Sequence, residues 1–205
     1  MSQNQNCTFI IVRHGETDWN IEHKIQGHSD NPLNENGRKQ AKELAKRLEN
    51  IHFDKILSSD LIRAKETAEV VALQKKLAIE TTELLRERRW GEWEGKSSQL
   101  IHQANKDIEH LDKIARLQYR YAESIETDEE LNTRFVRLLR EVAIANPGKT
   151  ILIVAHGGVI ITFLYYLDFE LEFPVKVENA ASITIESDGV DFKILDTFGI
   201  GKREA

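Results

Sequence analysis

Two histidines, His14 and His156, stand at matching places in the sequence, because each follows a short apolar run and precedes glycine. An imidazole can act as a nucleophile, an acid–base group or a metal ligand, and glycine lets backbone amides approach a ligand closely. A hydrogen-bonded turn residue would explain either histidine alone. Because Arg13 precedes the first and Arg63 follows another short apolar run, the combination favours a site for an anion.

A metal site is the rival use of these histidines. Neither an HExxH pattern nor a cluster of Asp and His at ligand spacing accompanies His14 and His156. The two neighbouring arginines would repel a divalent cation. We therefore expect no metal and no other cofactor.

The elements that must position these residues alternate between strand and helix. Apolar runs predict strands at about 8–12, 55–57, 151–155, 181–186 and 190–195. Helical spacing of apolar residues predicts helices over about 36–50, 61–71 and 159–167, and another between Thr127 and Asn146. Ser58 or Ser59 is expected to cap the second of these helices, and Thr127 with Glu130 forms a capping box.

The order of elements predicts an α/β fold. Residues 151–155 are continuously apolar, as in a parallel strand covered on both faces, and Asp188-Gly189 turns the last two strands into a hairpin. We expect three layers, α/β/α, with a largely parallel central sheet and an antiparallel edge strand. The charged stretch at about 97–125 is interpreted as a helical insertion over the carboxyl ends of the strands. It belongs to a single domain spanning residues 1–205.

Composition excludes several classes of protein. The chain has 205 residues, and 28 Lys and Arg against 34 Asp and Glu give a formal net charge of −6. An acidic chain without a basic run is a poor candidate for binding nucleic acid or membranes. The single cysteine, Cys7, excludes an internal disulfide. Residues 1–8 lack the basic start of a signal peptide, so we expect a soluble, cytoplasmic protein of undetermined oligomeric state.

Five motifs, in order, resemble those of the histidine phosphatase superfamily, which has the phosphoglycerate-mutase-like fold. They are Arg13-His14-Gly15-Glu16-Thr17, residues 26–33 with the pattern G-x-x-D-x-P-L, residues 58–64 around Arg63, residues 85–95 around Glu87, and Val154-Ala155-His156-Gly157-Gly158. The matches run from about residue 9 to residue 185. The insertion has no clear counterpart in the family.

The resemblance implies a role for each motif. His14 would be the nucleophile that forms a phosphohistidine, with one ring nitrogen oriented by an acceptor for which the Gly15 carbonyl is the candidate. Glu87 would give a proton to the leaving oxygen and then activate water. His156, if protonated, would add a third positive group. The residues expected to bind the phosphate of a small phosphorylated substrate are Arg13, Asn20, Gln26, Gly27, Arg63, His156 and Gly157.

Several residues near Glu87 have simpler interpretations. Glu87 itself could be a surface partner in an ion pair with a neighbouring arginine; the candidates are Arg86, Arg88 and Arg89. A solvated charged turn is the preferred interpretation of Arg88 and Arg89. Trp90 and Trp93 suit either a structural wall or a role in specificity. His28 lies in a motif loop without an assigned role.

The family contains phosphatases and mutases, and the departures from the mutase pattern favour a phosphatase. Mutases carry an adjacent Arg pair and a lysine in the insertion, whereas this insertion has only the isolated Arg116 and Arg120. The early loop reads Gly27-His28 where mutases have Gly-Trp. The chain resembles the branch with broad-specificity and α-ribazole phosphate phosphatases. A cofactor-dependent phosphoglycerate mutase and a non-catalytic phosphate-binding relative are the alternatives.

Overall fold

The computed structural model describes residues 6–169 and 175–202. Its strands are β1 (Cys7–Arg13), β2 (Lys55–Ser59), β3 (Ile79–Thr82), β4 (Thr150–Ala155), β5 (Val175–Ser187) and β6 (Phe192–Lys202). Its α-helices are α1 (Asp18–Ile21), α2 (Glu35–Arg47), α3 (Ile62–Lys75), α4 (Gln99–Asp107), α5 (Lys113–Gln118), α6 (Asp128–Ala145) and α7 (Gly157–Tyr166). Single 3₁₀ turns cover Glu83–Leu85 and Gly91–Trp93.

One sheet organises these elements, in the order β3-β2-β4-β1-β5-β6. Strands β3, β2, β4 and β1 run parallel to one another. Strand β5 is antiparallel to β1, and β6 is antiparallel to β5. The predicted α/β fold with a largely parallel sheet is therefore confirmed, and its antiparallel edge is a long hairpin.

The central strands are buried on both faces, which gives the three predicted layers. Phe9 and Ile11 of β1 pack in one apolar cluster with α6 and α7. Ile10 and Val12 of the same strand point the other way, into a second cluster with α2 and α3. Because alternate residues of a strand face opposite sides, a strand covered on both faces must be apolar throughout.

The sheet brings the two histidines together. Arg13 at the end of β1 is in register with Ala155 at the end of β4, and the backbone amide of His14 donates to the Ala155 carbonyl at 3.1 Å. His156 follows directly in the chain. The carboxyl ends of parallel strands share one edge of the sheet, so both histidines lie at the edge where α/β folds bind ligands.

The predicted cap of α3 is wrong. Ser58 and Ser59 are the last residues of β2, and the helix begins after Leu61, which offers no side-chain cap. The first helical amide, that of Ile62, donates instead to the carboxylate of Asp30 at 2.6 Å. Asp30 lies in a loop more than thirty residues earlier, so a local pattern could not identify this cap.

Other expectations about the elements hold with modest changes. Thr127 and Glu130 form the expected capping box, with bonds of 3.1 and 2.9 Å between side chains and backbone amides. The insertion forms α4 and α5. The short helix α1 and the edge strand β3 were not predicted, because a single turn and one apolar residue in four give little periodic signal.

No helix in the described parts of the chain has the length and apolar character to cross a membrane. The prediction that residues 1–8 lack a signal peptide concerns a segment whose first five residues lie outside the described ranges.

Gly37, in the first turn of α2, packs directly on the backbone of Glu16, two residues after His14. A Cβ atom at Gly37 would lie 2.7 Å from the Glu16 nitrogen and closer still to its carbonyl oxygen. A Cβ atom at Gly15 would in turn lie 2.5 Å from the Gly37 carbonyl oxygen. These two glycines therefore let helix α2 support the loop around His14 at backbone distance.

We predict that Gly37→Ala lowers the free energy of unfolding by about 1–3 kcal/mol, the usual cost of overpacking a rigid site. Urea unfolding measures the change. Gly201→Ala is the matched control, because a Cβ atom there would meet no atom within 4 Å. Equal stability of the two variants would show that the contact between Gly37 and Glu16 is not tight.

Candidate active site

A cavity of about 420 Å³ opens at the carboxyl ends of β1, β2 and β4. Eight of the predicted site residues line it: Arg13, His14, Asn20, Gln26, Gly27, Arg63, Glu87 and Gly157. His156 is fully buried, and the centroid of its ring is 5.2 Å from that of His14. The structure thus brings together the residues that the sequence motifs singled out.

His14 is oriented by its own neighbour. Its Nδ1 atom lies 2.6 Å from the carbonyl oxygen of Gly15, as expected from the sequence. A carbonyl oxygen only accepts hydrogen bonds, so Nδ1 carries the hydrogen and Nε2 keeps its lone pair. Burial, reinforced by the charges of Arg63 and Arg13, holds the pKa of His14 well below 6.5. The ring is therefore neutral and nucleophilic at neutral pH.

Arg63 is a fully buried cation whose hydrogen bonds go to carbonyl groups. Its two terminal nitrogens donate to the carbonyls of Ser29 and Gly27, both at 2.8 Å. Its Nε atom is buried without a hydrogen-bond partner. Burial lowers the pKa of Arg63 to about 10, so the guanidinium stays charged at neutral pH.

Arg13 is partly buried and has a similar hydrogen-bonding arrangement. One terminal nitrogen donates to the carbonyl of Val177 on β5, and Nε is buried without a hydrogen-bond partner. Gly157 permits this position, since a Cβ atom there would lie 3.2 Å from that Nε atom. Two guanidinium groups, each with a buried Nε–H that has no hydrogen-bond partner, favour a bound anion with several acceptor oxygens.

His156 differs from the expectation of a third positive charge. Both of its ring nitrogens are buried without a hydrogen-bond partner. Burial, followed by the charge of Arg63, holds its pKa well below 6.5. The protein by itself therefore keeps His156 neutral, and the positive charge of the site comes from the arginines.

Two amide side chains complete the wall beside His14. The carbonyl oxygen of Asn20 accepts from the backbone of Thr17 at 3.0 Å, which leaves its amide nitrogen as the group available to the cavity. Gln26 is buried, and its Oε1 atom has no hydrogen-bond partner. Both residues line the cavity, and their role in binding phosphate stays a prediction.

Glu87 lies across the cavity at the start of α7. One carboxylate oxygen accepts from the backbone amide of Gly158 at 3.0 Å, and the other accepts from that of Arg88 at 2.8 Å. The neighbouring arginines use other partners, because Arg86 pairs with Asp60 and Arg88 pairs with Asp128. The interpretation of Glu87 as their ion-pair partner is wrong.

The prediction of a solvated turn fails for Arg88 and holds for Arg89. Arg88 is only 6% exposed, and it bonds Asp128 and the Thr162 hydroxyl. The Arg89 side chain is exposed. Trp90 stacks on Trp93 with ring centroids 5.8 Å apart. Trp90 lines the cavity, so it forms part of the wall.

The insertion covers the remaining side of the cavity. Residues of α4, α5 and the segments beside them contribute to its lining: Ser98, Ile101, His102, Asn105, Ile108, Arg116 and Tyr121. This placement agrees with the expected position over the strand ends. Within the described residues, no group of three His, Cys, Asp or Glu side chains is arranged to hold a metal ion.

Sequence reasoning missed two residues that contact the Glu87 backbone. Its carbonyl oxygen lies 2.9 Å from His28 Nε2 and 2.9 Å from an Arg134 terminal nitrogen. Arg134 also pairs with the buried Glu126. A signal for Arg134 existed, since it lies three residues after Leu131 on the apolar face of α6.

Comparison with known proteins agrees with the geometry. The family described as "Histidine phosphatase superfamily (branch 1)" matches residues 9–197. The uncharacterized phosphatase PhoE of Bacillus subtilis is 35% identical over 91% of this chain and 91% of its own length. The broad-specificity phosphatase YOR283W of Saccharomyces cerevisiae is 33% identical over 82% of this chain and 73% of its own.

Solved structures share the same fold. The phosphoglycerate mutase from Bacillus anthracis superposes with a TM-score of 0.79 and 29% sequence identity. The match covers 96% of this chain and 94% of that one. The relatives therefore include both phosphatases and a mutase.

The buried neutral histidines make the stability of the fold depend on pH. Unfolding returns the pKa of His156 to about 6.5, so below that pH the unfolded chain binds a proton that the folded chain does not. Stability is lost as the pH falls. Between about pH 7.5 and pH 5.5, one such histidine contributes a loss of about 1.4 kcal/mol.

We predict that, between about pH 7.5 and pH 5.5, the free energy of unfolding of His156→Asn falls by about 1.4 kcal/mol less than that of the parent protein. Urea unfolding at the two pH values measures the difference. His110→Asn, which removes an exposed histidine, controls for the substitution itself. The idea fails if the parent and His156→Asn lose the same stability on acidification.

Proposed function

The chain belongs to the histidine phosphatase superfamily, and we propose that it hydrolyses phosphate monoesters of small metabolites through a phosphohistidine intermediate. The observation that carries the proposal is the neutral His14 beside two guanidinium groups whose buried Nε–H donors have no hydrogen-bond partner. One cavity therefore contains a nitrogen with a free lone pair that can attack phosphorus and the positive charges that can stabilise a phosphoryl group.

Arg13 and Arg63 would bind the phosphoryl oxygens. Planar guanidinium groups match the geometry of phosphate oxygens, and both carry an unpaired Nε–H. Asn20 and Gln26 would add neutral contacts from the same wall of the cavity. A bound phosphate dianion opposes the positive field of the arginines, so it favours protonation of His156 within the complex.

The first chemical step would transfer the phosphoryl group to the enzyme. His14 Nε2 attacks phosphorus, the N–P bond forms, and the P–O bond to the leaving group breaks. The leaving oxygen takes the proton of Glu87 as it departs. In the second step Glu87 takes a proton from water, the resulting hydroxide attacks phosphorus, and the N–P bond breaks to release inorganic phosphate and neutral His14.

The size of the barrier explains why positioned charge dominates this site. Accelerations of up to about 10²¹ for phosphate monoesters correspond to about 29 kcal/mol. A general acid such as Glu87 supplies about 10²–10⁴, or about 3–5 kcal/mol. The remainder must come from holding and neutralising the phosphoryl oxygens, which is the task proposed for Arg13 and Arg63.

A phosphoglycerate mutase is the second candidate, because a structure of that name shares the fold. A mutase must hold a second anionic group of its substrate. Of the two insertion arginines, Arg120 is paired with Glu130, and only Arg116 lines the cavity. We therefore favour hydrolysis. Mutase activity dependent on 2,3-bisphosphoglycerate and faster than hydrolysis would overturn this choice.

We further propose that the protein works in the cytoplasm as a soluble enzyme. Its single cysteine, Cys7, is buried in the core, and burial raises its pKa to about 11, so the thiol stays protonated. A fold that relies on no disulfide suits a reducing compartment. The proposed partner is the phosphorylated substrate, and the acidic chain is not proposed to bind nucleic acid or membranes.

We predict that the protein hydrolyses para-nitrophenyl phosphate, that EDTA leaves the activity intact, and that His14→Ala abolishes it because no nucleophile remains. Brief reaction with radiolabelled phosphosubstrate should yield an acid-labile adduct on His14. His110→Ala, on the surface, serves as the control. Label on a serine, or full activity in His14→Ala, would contradict the mechanism.

We predict that Glu87→Gln lowers kcat/KM for substrates with poor leaving groups by about 10²–10⁴-fold, because the amide cannot donate the carboxyl proton. The measurement compares phenyl phosphate with 2,4-dinitrophenyl phosphate, whose leaving group departs without a proton. Glu83→Gln, an exposed substitution nearby, is the control. An equal loss for both substrates would remove Glu87 from the role of acid.

A further inference from the structure

The segment Gly27-His28-Ser29 serves two parts of the site at once. The carbonyls of Gly27 and Ser29 accept from Arg63, both at 2.8 Å. The side chain of the residue between them points the other way, and His28 Nε2 lies 2.9 Å from the Glu87 carbonyl oxygen. One short loop thus touches the cation proposed to bind phosphate and the backbone of the proposed acid.

The direction of the bond between His28 and Glu87 is fixed. A carbonyl oxygen only accepts, so Nε2 carries the hydrogen and His28 is the donor. The same carbonyl accepts from Arg134 at 2.9 Å. The carbonyl of Glu87 is therefore held by two donors from separate elements, one from the early loop and one from α6.

Glu94 fixes the loop that carries His28. One of its carboxylate oxygens accepts from the His28 amide at 3.0 Å and from the Trp90 amide at 3.1 Å. The other accepts from the Ser29 hydroxyl at 2.9 Å. This carboxylate therefore joins the early loop to the segment that follows Glu87, and it orders the His28 backbone.

The side chain of Glu87 depends on this backbone support. Its carboxylate bonds two backbone amides, those of Arg88 and Gly158, and no ion pair among the described residues includes it. The segment between the two 3₁₀ turns has no regular ladder of hydrogen bonds to hold it. A displacement of about 1 Å in a reacting group can cost about 10²-fold in rate.

We propose that His28 is a positioning residue that holds Glu87 at the distance from the Arg63-bound phosphate at which it can protonate the leaving oxygen. The inference rests on the proposed function and extends it to a residue outside the phosphate site. Arg134 supports the same carbonyl, but it also bonds Glu126 and the Leu84 carbonyl, so its loss would disturb the fold more widely. His28 is therefore the residue to test.

The test compares two substrates, one whose leaving group needs a proton and one whose leaving group does not. If His28 acts by positioning Glu87, His28→Ala lowers kcat/KM for phenyl phosphate by about 10–100-fold. The value of kcat/KM for 2,4-dinitrophenyl phosphate then stays within about threefold of that of the parent protein. The parameter kcat/KM covers only the steps up to leaving-group departure. A general structural defect would lower kcat/KM equally for both substrates, and that result would overturn the proposal.

Conservative rescue and a double variant sharpen the test. His28→Gln places an amide donor near the position of Nε2 and should recover most of the activity on phenyl phosphate. In a Glu87→Gln background, His28→Ala should lower kcat/KM for phenyl phosphate only slightly further, because the acid that His28 positions is already absent. Additive losses would show that His28 works independently of Glu87 and would overturn the proposal.

Two further measurements separate this inference from the proposed function. The inhibition constant of inorganic phosphate should stay within about twofold in His28→Ala, since Arg63 keeps its carbonyl partners; a large rise would assign His28 to phosphate binding instead. If Glu87→Gln shows leaving-group dependence and His28→Ala does not, only the positioning role fails. If neither shows it, the acid assignment fails as well. His110→Ala controls for loss of a histidine.

Discussion

The site depends on keeping Arg63, which is fully buried, and Arg13, which is partly buried, charged although neither forms an ion pair with a carboxylate among the described residues. Removing a charge from water is expensive unless polar groups replace the lost hydration. Carbonyl groups do so here: those of Gly27 and Ser29 for Arg63, and that of Val177 for Arg13. Because carbonyls supply dipoles and no net charge, the site keeps a positive field that an anion can neutralise.

The same positive field helps to determine the protonation state of the two histidines. The register between β1 and β4 places His14 and His156 side by side at the edge of the sheet, where burial and the arginine charges together hold both pKa values low. The proposed nucleophile must be a neutral imidazole, so under the proposed function the two arginines would serve two purposes. They would bind the phosphoryl group, and they help to keep His14 unprotonated.

How much of this could be predicted from sequence depends on the range of the interaction. Apolar runs located β1 and β4, and the residues at their ends followed from the topology of parallel sheets. The cap of α3 was missed because Asp30 supplies it from a distant loop. Arg88 was misjudged for a similar reason, since its partner Asp128 lies forty residues away. The contact between His28 and Glu87 likewise exists only after the two loops meet in the folded chain.

The net charge of −6 reflects the surface of the protein. The two arginines of the candidate site carry the opposite charge. Exposed carboxylates more than about 8 Å from the cavity are screened at physiological salt, whereas the charges of Arg13 and Arg63 act inside the cavity, where screening is weaker. Under the proposed function, attraction of the anionic substrate should therefore be short in range. Selection would then rest on how well the oxygens of the ligand replace water at the two guanidinium groups, which would favour a compact, doubly charged phosphate over a diffuse polyanion.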